Sequence, residues 1–370
     1  MIAIPQALED AAWDAARAEL GDAPLADGAL GRAVVDRSAR YTSERDRLAS
    51  PAEPKGDLAA RATFFTVADA MKVAVPLREL AARGAIPARA EPLRVIDVGA
   101  GCGAMTLGAL AAIPDRDMAI IAIDRDAGAL RIAARAVRAF GGAHVAIETR
   151  AGDVRELARA PRGADLVLMG SVLNELADAA AREAAVVTAL AAISDAGAVV
   201  IVEPALRDTT RALHELRDSL LARAAAHVFA PCTRTCAPCP ALADDRDWCH
   251  EDRAVTLPQR TRELARRTHL RDSGLRFSYL VLRRAPLALV DAGDAAWRVV
   301  SAPRPDKGKL ELTGCSQAGR IPLRRLRRHR SASNAAIERA DRGAVLVIDA
   351  APADDRVEIV ADTRVDRISR

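Results

Sequence analysis

Residues 95–103 read Val-Ile-Asp-Val-Gly-Ala-Gly-Cys-Gly, an apolar run that ends in three alternating glycines. A strand that stops at such a run must turn tightly, and its backbone is free to approach a ligand where side chains would block it. The surroundings repeat the strand-then-helix pattern. Leu93–Val98, Met118–Ile123, Val145–Glu148, Asp165–Met169 and Ala198–Glu203 read as strands, and residues 103–112, 127–139 and 174–193 as helices between them. Strands that alternate with helices bury both faces of a parallel sheet. The expected fold class is therefore α/β, with a doubly wound, Rossmann-like sheet.

Three regions are expected. Residues 1–90 form a helical region. Within it Leu58–Arg83 carries Phe64, Phe65, Val67, Met71, Val75 and Leu80 at helical spacing, after a break near Ser50–Pro54. Residues 91–285 hold the sheet domain, with a cysteine-rich segment at 230–252. Within it residues 208–226 and Arg260–Arg271 read as helices, and Arg276–Arg283 as a further strand. After Pro286 the alternation stops. Trp297–Ser301, Lys309–Thr313, Ile321–Leu326, Ala344–Asp349 and Arg356–Val360 read as short strands of a small β domain at 286–370.

Lys and Arg number 54 against 50 acids, a net charge of +4 that by itself implies no nucleic-acid partner, and no DNA is expected. Only Lys55, Lys72, Lys307 and Lys309 are lysines, the pattern of a GC-rich, bacterial genome. No apolar run approaches the roughly 20 residues that span a bilayer, so no membrane partner is expected. The first twenty residues carry Glu9, Asp10, Asp14 and Glu19, which suit neither a secretory nor a mitochondrial leader. The expected location is cytoplasmic, where clustered cysteines favour metal over disulfides.

The loop reads D-x-G-x-G-x-G rather than the G-x-G-x-x-G of a dinucleotide site. An acid before the first glycine repels a pyrophosphate but suits a cofactor with an amino-acid end and a sulfonium. The run resembles the first motif of class I S-adenosylmethionine-dependent methyltransferases. Asp97, Gly99, Gly101 and Gly103 are the candidate cofactor residues, with Asp124 for the ribose hydroxyls and Asp153 for the adenine amino group. Cys102 reads as a small residue packed on the helix. After the fourth strand, Met169-Gly-Ser-Val-Leu-Asn174 lacks the prolines and aromatics of amine methylases, and no nucleophilic cysteine stands there. The catalytic residues are thus unknown. Ser171, Asn174 and Glu175 are weak polar candidates, whose alternative role is to cap the next helix.

Cys232, Cys236, Cys239 and Cys249 are spaced C-x3-C-x2-C-x9-C. Only Cys236 and Cys239 make the C-x2-C pair of a zinc knuckle. Three close cysteines, a fourth further on and Pro231, Pro238 and Pro240 beside them favour a 4Fe-4S cluster, with zinc as the alternative. The triplet also fits a radical S-adenosylmethionine site, a minor alternative because Cys249 can fill the fourth position. His227 and His250 read as hydrogen-bonding or surface groups.

The glycine loop, Val202-Glu-Pro204, Ala230-Pro-Cys232, Cys239-Pro240 and Trp248-Cys-His250 together resemble the methyltransferase-like family of mitochondrial small-ribosomal-subunit assembly proteins, which has bacterial members. The resemblance spans roughly residues 58–340. It implies a methyltransferase fold, S-adenosylmethionine, a 4Fe-4S cluster on Cys232, Cys236, Cys239 and Cys249, and association with small-subunit ribosomal RNA during assembly. The chain departs from the family at Cys232-Thr-Arg, where Cys-Pro-His is usual, and at Glu251, where an aromatic follows Trp-Cys-His.

Lys307, Lys309, Arg324, Arg325, Arg327, Arg328 and Arg330 are the candidate RNA contacts, a dense run able to hold phosphates. With aromatics at 3%, recognition through shape and backbone is expected rather than base stacking. The expected function is methyl transfer to small-subunit rRNA. The alternatives are a non-catalytic assembly factor whose cofactor and cluster are structural or sensing, and a zinc-binding small-molecule methyltransferase.

Overall fold

The computed structural model describes residues 1–44, 47, 51, 53–87, 91–353 and 355–368. Ser50 and Ala52 of the expected break, and residues 88–90 of the helical region, lie outside the described residues. Helices Gln6–Leu20, Asp27–Thr42, Pro54–Ala60 and Ala74–Ala82 make up the N-terminal region. Pro54–Ala60 runs on through a π turn at Arg61–Phe65 into Thr66–Ala70. Its start is capped by Glu53, whose carboxylate accepts from the amides of Lys55 and Gly56.

The main sheet is built from β1 (Leu93–Val98), β2 (Met118–Asp124), β3 (Val145–Ala151), β4 (Ala164–Gly170), β5 (Ile193–Pro204), β6 (Glu251–Thr256) and β7 (Gly274–Arg283). Their order is β3-β2-β1-β4-β5-β7-β6. The first five run parallel, and β7 is antiparallel to both of its neighbours. This order, with one reversed strand inserted before the edge, is that of a class I methyltransferase-like sheet. Two short strands extend it: Ile2–Ala3 beside β6, and His227–Ala230 beside β7.

Central strands are covered on both faces, so they read as continuous apolar runs. Leu93 and Val95 of β1 pack with the N-terminal helices, whereas Ile96 and Val98 pack with the residues of Ala179–Ala192 and Arg207–Ala222. Helix Ala104–Ala112 crosses Thr66–Ala70 so closely that a Cβ on Gly108 would overlap the Ala70 carbonyl. The N-terminal helices are thereby seated over the end of the sheet that carries the glycine loop.

Beyond residue 295 a separate seven-stranded sheet runs to Ile368, with its own core around the fully buried Trp297. A buried hub joins it to the rest. Arg298, 2% exposed, donates through Nη1 to Glu79 Oε1 at 2.7 Å, and through Nη2 to Glu251 Oε1 at 2.6 Å and the Tyr279 hydroxyl at 2.8 Å. That hydroxyl in turn donates to Glu79 Oε2 at 2.6 Å. The four residues come from the C-terminal sheet, a helix of the N-terminal region, β6 and β7. Glu251, the departure noted after Trp-Cys-His, is thus half of an inter-unit ion pair.

Candidate functional site

The glycine loop leaves β1 with Gly99, Gly101 and Gly103 at φ of +67°, +52° and +94°. A β-carbon costs about 1–2 kcal/mol in this left-handed region, so glycine turns here without strain. The first two glycines differ in their surroundings. A Cβ on Gly99 would overlap Val172 Cγ2 in the turn after β4, whereas one on Gly101 would enter open space.

Three acids surround the loop. Asp97 is fully buried, and its Oδ2 accepts from the Thr106 amide at 3.2 Å and the Thr106 hydroxyl at 2.7 Å. Its Oδ1 has no hydrogen-bond partner among the described residues, and burial pushes the carboxyl up to about 7. Asp124 ends β2 and accepts from the amides of Gly101 and Asp126, both at 2.8 Å. Each of its oxygens keeps a second lone pair for a hydroxyl. Asp153 accepts from the Arg155 amide at 2.9 Å, and the Arg155 side chain beside it lowers its carboxyl to about 2. Gly152 bonds back to the Asp124 carbonyl at 2.9 Å, so the second and third acids sit at neighbouring strand ends.

An orphaned buried oxygen at Asp97, open space over Gly101 and a diol-ready carboxylate at Asp124 fit an amino-acid-bearing adenosine cofactor. Cys102 is 4% exposed, and burial raises its thiol to about 12, which leaves it a packing residue.

The turn after β4 holds the polar candidates. Ser171 has φ of +58°, a strained setting for a residue with a β-carbon. Asn174 does not cap the following helix. Its Nδ2 donates to Glu203 Oε2 at 2.7 Å, while the Leu173 amide donates to Oε1 at 2.9 Å. Asp178 is the cap of Ala179–Ala192, accepting from Ala181 at 2.8 Å. Glu175 is an exposed residue whose side chain is 34% accessible; desolvation raises its carboxyl, and Arg125, 3.4 Å away, opposes that rise. Glu203 is a site residue that the motif reading did not assign. It is 1% exposed, and burial pushes its carboxyl up to about 7. The available signal was an acid closing the otherwise apolar run Ala198–Val202.

Three of the four expected cysteines share a cavity with one from the C-terminal sheet. Cys232, Cys239, Cys249 and Cys315 line one cavity, together with His214, Arg217 and Arg320. Burial raises the thiols of Cys239 to about 11 and Cys249 to about 12, and raises Cys315 further, with the other cysteines adding to each shift. Cys236 is not in that lining. Its side chain is exposed, and its Sγ lies 3.6 Å from Gln317 Oε1. The two prolines around it hold cis peptide bonds, Ala230–Pro231 and Ala237–Pro238. Cys315 comes from strand Lys309–Ser316 of the C-terminal sheet, too distant in sequence for a spacing argument to find.

That hairpin is held against the cysteine loop. The Thr233 hydroxyl donates to the Cys315 carbonyl at 2.9 Å, and Arg234 donates to the Gln317 carbonyl. Arg320 pairs with Asp247 at 2.7 Å. Among the described residues no three His, Cys, Asp or Glu side chains form a group placed to hold a metal ion. The four thiols are the sulfur donors that line the cavity, with Arg217 buried and Arg320 half-buried beside them. His214 is not among those donors, because its Nε2 faces the Cys249 amide at 3.2 Å, and burial drives its pKa down to about 4.

The arginine run divides. Arg325 is 5% exposed and donates to Asn334 Oδ1 at 3.1 Å and Glu338 Oε1 at 2.6 Å, so it is a core ion pair and not a phosphate contact. Arg324 pairs with Glu358, and Arg330, though exposed, with Glu338 at 2.8 Å. Lys309 stands 3.4 Å from Glu311. Lys307, Arg327 and Arg328 are exposed. They share one end of the sheet, since the Arg327 amide bonds to the Gly308 carbonyl at 2.7 Å.

The family model described as mitochondrial small ribosomal subunit Rsm22 matches residues 63–339, more than half of the chain. The chain belongs to the Rsm22 family. The matched span runs from the π turn to the C-terminal sheet, and so takes in the glycine loop and all four cavity cysteines. No curated protein matches in sequence.

Among solved structures, the magnesium protoporphyrin IX methyltransferase of Synechocystis PCC 6803 with bound S-adenosylmethionine is 12% identical. It covers 68% of this chain and 97% of its own, with a TM-score of 0.37. The precorrin-6y C5,15-methyltransferase of Geobacter metallireducens GS-15 is 17% identical over 57% of this chain and 86% of its own, with a TM-score of 0.35. At these values the fold assignment rests on the strand order above. The Rsm22 match, in turn, carries the family.

Proposed function

We propose that this Rsm22-family chain binds S-adenosylmethionine at the glycine loop, carries a 4Fe-4S cluster, and methylates the RNA of an immature small ribosomal subunit, acting in the cytoplasm. The observation that carries the reading is the loop itself, with Gly101 open, Asp97 Oδ1 unpartnered and Asp124 at the adjoining strand end. Asp97 would take the amino end of the cofactor, Asp124 the ribose and Asp153 the adenine side. When bound, the cofactor supplies an activated methyl group. The chain's part is to hold the acceptor in line with it and to exclude water.

The cluster's ligands in this reading are Cys232, Cys239, Cys249 and Cys315, with Arg217 and Arg320 offsetting its charge. Leu213 of helix Arg207–Ala222 lines both the cysteine cavity and the cavity beside Glu203, so the two share a wall, and no glycine of the cofactor loop lines either. It shapes the molecule rather than taking part in transfer. Lys307, Arg327 and Arg328 provide the phosphate contacts. Titration of the full chain with S-adenosylmethionine, and co-sedimentation with immature small subunits at rising salt, test the reading. One cofactor per chain and salt-sensitive co-sedimentation are expected; loss of either removes it.

A non-catalytic assembly factor is favoured by one observation. The turn after β4 supplies no aromatic or proline to hold a base, and its Asn174 is engaged by Glu203.

A further inference from the structure

A cavity of about 510 Å³ opens at the C-terminal ends of β4 and β5, within the size range of small-molecule sites. Leu173 and Asn174 form one side of it and Glu203 lines it, while the residues of helix Arg207–Ala222 form the opposite wall. The residue before Leu173 is Val172, which packs on Gly99 of the cofactor loop, so the cavity begins one residue beyond the cofactor loop's own neighbour.

Leu206, Leu213 and Leu216 give that wall its apolar part, beside Asp208, Thr209 and Arg207, which pairs with Asp208 at 3.0 Å. The polar groups have a set geometry. Glu203 accepts from both the Leu173 amide and Asn174 Nδ2, so the carboxylate decides which way the Asn174 amide faces and turns its carbonyl oxygen away. Ser171, three residues earlier, holds a positive φ that a β-carbon disfavours, as backbones at ligand sites do. Arg182 and Arg207 also line the cavity, from two different helices.

Three leucines to cover a flat ring, an oriented amide for its edge and two guanidinium groups together suit a nucleotide. We propose that this cavity receives one unpaired nucleotide of the RNA, its base against Leu206, Leu213 and Leu216, its edge read by Asn174, and its phosphate held by Arg182 and Arg207. Glu203 is a positioning residue that acts through Asn174. The proposal rests on the reading that RNA is the methyl acceptor.

The test uses the full chain and ligand-observed NMR with AMP, CMP, GMP and UMP, the matching nucleosides, and inorganic phosphate. One mononucleotide is expected to bind more tightly than the other three. Asn174→Ala should weaken it roughly tenfold and level the preference, the size of one lost base contact. Glu203→Gln should also level the preference, which a merely structural role would not do. Should it fail to fold, Asn174→Ser gives the same readout. Arg182→Ala with Arg207→Ala should weaken the nucleotide but not the nucleoside.

Phosphate alone competing as well as any nucleotide would show an anion site only, and would overturn the proposal. So would affinities unchanged in both the Asn174 and the arginine variants. A chain that binds S-adenosylmethionine but no nucleotide overturns the cavity reading alone. Nucleotide binding without cofactor binding supports the cavity and removes the methyl-donor reading.

Discussion

Gly101 and Gly84 have nearly the same backbone, at φ of +52° and +64°, and neither has an atom within 4 Å of where a Cβ would stand. An alanine at either position therefore meets the same penalty, about 1–2 kcal/mol for a β-carbon in the left-handed region, and no clash. What differs is what the new methyl faces. At Gly84 it points from the end of helix Ala74–Ala82 into open space, far in sequence from the loop. At Gly101 it points into the space assigned to the cofactor, beside the amide that Asp124 holds. Gly101→Ala and Gly84→Ala should lose similar stability in urea unfolding. Only Gly101→Ala should lose affinity for S-adenosylmethionine by calorimetry, at least tenfold, or about 1.4 kcal/mol. Gly99→Ala should be the least stable of the three, because it adds the overlap with Val172, worth roughly 1–3 kcal/mol. Unchanged affinity in a folded Gly101→Ala variant would refute the placement of the cofactor.

The cysteine assignment predicts that Cys232→Ser, Cys239→Ser, Cys249→Ser and Cys315→Ser each lose iron and absorbance near ~400 nm after anaerobic purification, while Cys236→Ser keeps both. The opposite pattern would restore Cys236 to the ligand set. At the buried hub, Arg298→Met removes the guanidinium that Glu79 and Glu251 share, leaving Glu251 with Arg253 and Glu79 with the Tyr279 hydroxyl, and should cost about 3 kcal/mol in chemical unfolding. Replacing Glu79 and Glu251 by Leu in the same chain should recover most of it, and a loss under about 1 kcal/mol from Arg298→Met would count against the hub. Asp97 should make stability fall as pH rises. Its ordinary pKa is 3.8 and burial pushes it to about 7, so between those values the folded chain keeps a proton that the unfolded chain has released. Asp97→Asn should flatten that decline by at most roughly 1.4 kcal/mol per pH unit, and an unchanged slope would show that the carboxyl is ionised when folded.

The sheet was legible in the sequence because β1, β2, β4 and β5 are apolar runs separated by helical patterns, and the physics of a two-sided sheet demands both. β6 was not legible. Glu251-Asp-Arg-Ala-Val-Thr256 carries three charges in six residues, and Glu251 is buried between Arg253 of its own strand and Arg298, which reaches it from a sheet that lies beyond residue 295. The turn at the glycine loop was legible because Asp97, Gly99, Gly101 and Gly103 are adjacent in the chain. Cys315 and Glu203 were not, since a cavity is assembled by folding and spacing arguments see only neighbours. Arg325 shows the converse. Its place in a basic run made it resemble a phosphate contact, and its neighbours Asn334 and Glu338 bury it instead.

Methyl transfer from labelled S-adenosylmethionine to immature small subunits, taken from cells that lack this protein, tests the central claim most directly. The account predicts label in the small-subunit RNA with the wild-type chain, and a large loss of it with Gly101→Ala. RNA left unlabelled by a chain that binds both the cofactor and the subunit would contradict methyl transfer and leave the assembly-factor reading in its place.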